Sequence, residues 1–165
     1  MAFQSTINRV NTYGIQGDLA NGQVPHYTPT TPTVYTGETI YAGDFVWVSD
    51  TNGVAVCKKA SQSGKPTGIV QRVKDFPMGL TTDATLQIPV GCKADVIVWG
   101  DVFVKTTDSA AVGKKLFVNN TTGAITCGNA GASVSGATET DWTVISLANN
   151  AAAAGGSVVI ASNVK

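Results

Sequence analysis

From residue 36 onward, short apolar runs alternate with clusters of Gly, Asn, Asp, Thr and Ser. That rhythm predicts strands separated by turns rather than helices. The expected strands are 39–48, 54–58, 68–73, 85–90, 94–106, 115–119, 124–127, 142–147 and 157–162. Leu86, Ile88 and Val90 recur at every second position, the mark of a strand with one buried face. The stretch DVIVWGDVFVK, 95–105, is apolar almost throughout, so it is either covered on both faces or bent at Gly100 into two strands. No segment predicts a stable helix: the alanine-rich run at 147–157 is short, ends in two glycines and reads as a loop with at most one helical turn. The fold class is therefore all-β, a small β-sandwich or β-barrel.

Two stretches share a pattern. GDFVWVSDTNGVAVC (43–57) and GKKLFVNNTTGAITC (113–127) match at Gly43/Gly113, Val48/Val118, Thr51/Thr121, Gly53/Gly123 and Cys57/Cys127, a constant offset of 70 residues. They read as one hairpin used twice, or as two hairpins under the same turn grammar. A two-residue turn with positive φ at both positions suits Asn52-Gly53 but would force β-branched Thr122 into a costly conformation. A type I turn followed by a left-handed glycine fits both copies, so Gly53 and Gly123 are expected at positive φ, as shape and not as phosphate cradles.

Residues 1–35 differ. Prolines at 25, 29 and 32 and the lack of apolar periodicity predict an extended N-terminal arm, 1–35, before an all-β domain, 36–165. Proline fixes φ and lacks the amide donor, so PHYTPTTP should be drawn out and poorly suited to a central ladder.

With 43% hydrophobic and 13% charged residues, the 165-residue chain has a core for one domain and a surface covered largely by uncharged polar groups. Such a surface is readily buried against a partner. Eleven basic and eleven acidic residues balance, which argues against nucleic acid as a partner. No basic segment leads into an apolar stretch and no run is long enough to span a bilayer, so the expectation is no membrane partner and synthesis in the cytoplasm.

Cys57, Cys92 and Cys127 are widely spaced and read as small buried apolar residues. The lone His26 has no nucleophile or carboxylate at a telling distance, and SDTNG (49–53) lacks the later carboxylate of a calcium loop. Neither catalysis nor a cofactor or metal is expected. Lys58-Lys59 and Lys114-Lys115 read as solvated strand ends, and Trp47, Trp99 and Trp142 as core residues within strands.

The opening MAFQSTINRVNTYGIQGDLANGQVP, with GIQGDLA and a following proline, then YAGDFVWVSDTNGVAV (41–56) and PTGIVQRV (66–73), resembles the bacteriophage capsid decoration, or structural cement, proteins. The resemblance is firm over the first half of the chain. It implies a non-enzymatic virion protein, made in the host cytoplasm, that sits on the capsid exterior, associates as a homotrimer and bridges major capsid protein subunits. A tail or fibre subunit is the alternative, and a carbohydrate-binding β module comes after it. For an arm that orders on its partner, Ile7, Val10, Tyr13, Ile15 and Leu19 are the expected anchors, with Tyr27 and Tyr35 as additions. Deleting residues 1–24 is expected to leave the β domain folded and to abolish capsid binding.

Overall fold

A computed structural model describes residues 14–20, 24–73, 86–147 and 158–163. The described residues contain no helix, in keeping with the all-β reading. Thirteen strands form: β1 His26–Tyr27, β2 Thr33–Val34, β3 Ile40–Tyr41, β4 Phe45–Thr51, β5 Val54–Lys58, β6 Gly68–Val70, β7 Gln87–Ile88, β8 Val96–Trp99, β9 Asp101–Lys105, β10 Lys115–Asn119, β11 Ile125–Gly128, β12 Ala137–Leu147 and β13 Val158–Ser162.

One sheet runs β1-β8-β6-β4-β5-β2, a second runs β11-β10-β12-β13-β9, and β3 pairs with β7 alone. The first sheet closes on itself. His26 pairs with Trp99 and Tyr27 with Ile97, Thr28 N donates to Val96 O, Ala94 N to Pro32 O, and Thr33 bridges Lys93. Residues 26–34 thus run antiparallel to 93–99 as one interrupted strand, and β2 then pairs in parallel with β5 on its other side. Pro29 and Pro32 lie in the interruption, where the missing amide costs no ladder bond.

The proline-rich stretch is drawn out, as its composition predicts, but it is not a free tether. Val34 is buried in the core, and the segment supplies the closing strand. PHYTPTTP is expected to be poorly suited to a ladder, yet residues 26–34 join one on each side. Edge positions tolerate proline, and a closed sheet needs only short edges to meet.

Inside this closed sheet Val34, Val46, Cys57, Val70, Ala94 and Val96 pack together, joined by Ile40 and Ile88 from the β3–β7 pair. The opposite face of β4, β6 and β8 turns Phe45, Trp47, Ile69 and Ile97 toward the second sheet. There they meet Val102, Val104, Leu116, Val118, Trp142, Val144, Val159 and Ala161 in the larger core. Residues two apart therefore serve one core, and those between them serve the other.

The second sheet is curled in the same way. β9 runs on into Thr107, whose N and Oγ1 both donate to Ile125 O, and Asp108 accepts from Cys127 N at the far edge of β11. Of the two readings of 95–105 the bend at Gly100 is the one formed, and it is where the chain changes sheets. Its φ of 137° is open only to glycine, and Asn163 holds the corner by accepting from Gly100 N and donating to Val98 O.

The two similar hairpins are not copies. In the first, Val48 faces Cys57 and Thr51 faces Val54, and Asn52 and Gly53 have φ of 55° and 78°, a two-residue type I′ turn. In the second, Leu116 rather than Val118 faces Cys127, and a longer loop ends at Gly123 with φ 72°. Its Gly123 N donates to Asn119 O, and Asn119 Oδ1 accepts from the amides of Thr121 and Thr122. The shared type I turn expected for both is therefore wrong for the first. Asn tolerates the left-handed region and Thr122 does not, so one pattern gives two turns and two registers.

Candidate functional site

The motif GIQGDLA folds back on the body. Gly17 N donates to Phe103 O at 2.7 Å, Phe103 N to Asp18 O at 3.0 Å and Ala20 N to Asp101 O at 2.9 Å, with Leu19 bridged antiparallel to Val102. Residues 17–20 thereby form a strap on the rim of β9. The strap also grips the first sheet: Arg72 N donates to Gly17 O, and the Arg72 guanidinium donates through Nη1 to both Asp18 carboxylate oxygens at 3.1 Å. Gly17 passes so close to Gly43 that a methyl group on either would come within 3.0 Å of the other's backbone nitrogen. Gly17 and Gly43 also both sit at φ 85°. The strap is wedged between the two sheets.

The predicted anchor residues separate into groups. Ile7, Val10 and Tyr13 lie outside the described residues. Ile15 is 45% exposed, Tyr27 42% and Tyr35 37%, so these three present apolar surface. Leu19 packs against the larger core, which takes it out of the set of outward anchors. Tyr27 donates its hydroxyl to Gln71, and Lys58 Nζ sits 4.1 Å from the Tyr35 ring centroid. The sequence reading missed Arg72 as the partner of Asp18, since nothing local joins two residues 54 positions apart.

A second polar cluster lies between the hairpins. Lys59 Nζ meets Asp44 Oδ2 at 2.8 Å with both side chains mostly buried, and Glu38 Oε2 accepts from the amides of Lys59 and Ala60. Burial outweighs the Lys59 ammonium and holds the Asp44 carboxyl above its ordinary range. Lys59, expected as a solvated strand end, instead lays its stem across Gly123, and Ser61 and Gln62 donate their amides to Thr121 and Asn120. The cluster ties one hairpin to the other.

Trp47 and Trp142 are core residues, whereas Trp99 is half-buried and stacks on exposed His26 with ring centroids 4.8 Å apart. Cys57 is fully buried, and Cys92 and Cys127 are half-buried, all as free thiols. Burial pushes the Cys57 and Cys127 thiols up to about 11. At pH 8 the thiolate fraction of Cys57 is then about 100-fold below that of a thiol with pKa 9.0. Iodoacetamide labelling of the native protein, followed by peptide mass spectrometry, is expected to modify Cys57 at least that much more slowly than the urea-unfolded chain. Equal rates would mean that β5 opens freely.

Among the described residues no group of three or more His, Cys, Asp or Glu side chains is placed to hold a metal ion. The arrangement as a whole is two sheets closed by their own chain and a strap whose upstream neighbour Gly14 is exposed.

A family model described as "Structural cement protein (E217 gp24/Pam3 gp6)" matches residues 3–163. A chain in the solved structure "The capsid of Myoviridae Phage XM1" shares the fold, with a TM-score of 0.63 and 22% identity over 100% of this chain and 99% of that one. No curated protein matches in sequence.

Proposed function

The chain belongs to the phage structural cement protein family, and on that premise we propose that it decorates the outside of the assembled head and bridges neighbouring major capsid protein subunits. It is a capsid structural protein of the virion. In the proposed role it carries no catalytic activity and is made in the host cytoplasm before it docks.

The observation that carries the anchor reading is the strap. Residues 17–20 are fixed between the two sheets while Gly14, three residues upstream, is exposed, so the upstream end of the strap lies at the surface. The segment 1–13 holds Ile7, Val10 and Tyr13; added as a strand to a partner's sheet rim, it would turn Ile7 and Tyr13 to one face and Val10 to the other. Exposed Ile15, Tyr27 and Tyr35 would supply further apolar contact. A polar, weakly charged surface lowers the desolvation cost of docking, and repetition over a symmetric shell turns a modest contact into avidity. Association as a homotrimer would raise that avidity further.

The test is co-sedimentation with undecorated heads. Protein lacking residues 1–13 is expected to keep the far-ultraviolet circular dichroism of the full chain and to stay in the supernatant. Removing residues 1–24 strips the strap as well, so that longer truncation no longer isolates the anchor. Wild-type sedimentation of the shorter truncation would overturn the anchor, and gold label on tails rather than heads would overturn the location. Sedimentation equilibrium reads whether three copies associate before docking.

A further inference from the structure

The strap and the last described strand flank the same strand. Residues 17–20 pair antiparallel with β9 on one side, Gly17 near Phe103 and Ala20 near Asp101. On the other side β13 pairs antiparallel with β9, from Val158 opposite Lys105 to Ser162 opposite Asp101. The strap and β13 are therefore parallel to each other with β9 between them. The chain enters the strap at the Lys105 end of β9 and leaves β13 at the Asp101 end.

A pull that separates the two ends of the chain draws the strap one way and β13 the other, along the strand axes. Hydrogen bonds perpendicular to the strands are then loaded side by side and break together. A pull applied at one end of the pair would instead open them one after another.

We propose that the strap, β9 and β13 form a shear clamp that carries tension between the capsid-bound N-terminal segment and the body. This rests on the anchor reading above and assigns GIQGDLA a role that reading leaves out. Three backbone bonds join the strap to β9, the Arg72 amide and its two-oxygen grip on Asp18 add a second line of attachment, and Leu19 keys the strap into the core. The close approach of Gly17 to Gly43 lets the strap lie deep enough to be held by both sheets.

The test is single-molecule pulling on the full chain in two geometries. One set of handles is placed on the first and last residues; the other is placed on the first residue and on exposed Lys105, at the end of β9 where the strap begins. The first geometry is expected to rupture at clearly higher force than the second, although both detach the same strap. Equal forces, or a stronger response through Lys105, would overturn the clamp.

An Ala20→Pro variant removes the amide that donates to Asp101 O. It is expected to raise the rupture rate at constant load by about fivefold to tenfold in the end-to-end geometry, the scale of one lost backbone bond. An unchanged rate there also overturns the proposal. No capsid enters either measurement, so a failed clamp leaves the co-sedimentation result standing, and a failed anchor leaves the pulling result standing.

Discussion

Replacing Gly68 by alanine is expected to destabilise the protein by about 4 kcal/mol or more, the upper range for a single substitution. Gly68 opens β6, and a methyl group there would lie 2.2 Å from the Ile97 carbonyl oxygen and 2.9 Å from its carbonyl carbon. These are backbone atoms of β8, so no side-chain rotation relieves the overlap. Relief requires β6 and β8 to part, which opens the pairs Ile69–Ile97 and Val70–Val96. Each of those four residues is fully buried, and they divide between the two cores. A loss of this size is a large share of the ~5–15 kcal/mol that holds a typical domain together. Urea unfolding followed by tryptophan fluorescence measures it; a shift below about 1 kcal/mol would mean that β6 and β8 are not held at this spacing.

Phe45→Ala is expected to cost about 3–5 kcal/mol, the transfer of a large aromatic plus the cavity it leaves. Phe45 is fully buried on the first sheet and meets Trp142 of the second edge-on, with ring centroids 6.2 Å apart at 78°. The pair spans the junction, so the loss should be felt in both sheets at once, as one cooperative transition lowered by about 10 °C. A double-mutant cycle with Trp142→Ala should show coupling of about 1 kcal/mol. Two separate melting transitions, or coupling near zero, would mean that the sheets fold independently.

These expectations show where local sequence is a good guide. The bend at Gly100 was legible because an apolar run twice the usual strand length, broken by one glycine, has few other solutions. The extended form of residues 24–35 was legible for the same kind of reason, since proline restricts its own φ. What the segment pairs with was not. Its partners at 92–99 lie far along the chain, and alternation carries no information about which rim a strand will meet.

The start of β12 was hidden for another reason. Ala137 to Asp141 contains no large apolar residue, yet Thr140 is buried, because its hydroxyl donates to Leu116 O and satisfies itself there. Likewise the five identities between the hairpins marked the place of two turns but carried no information about their registers. Turn residues constrain the loop, while pairing is decided by the cores on either face. Of the anchor set, Ile15, Tyr27 and Tyr35 face outward and Leu19 does not, a difference set by the β9 rim, which residue type alone cannot reveal.

The closure of both large sheets by their own chain limits what a strand of another molecule could pair with. Residues 26–34 occupy one rim, and Thr107, Asp108 and the strap occupy the others, along most of their length. Among the described residues the two large sheets leave little open rim for a neighbour's strand. Copies crowded side by side are thereby spared the rim-to-rim stacking that seeds fibrils. Contacts that these sheets make with any partner fall instead to individual side chains, which can be retuned one substitution at a time without disturbing the fold beneath.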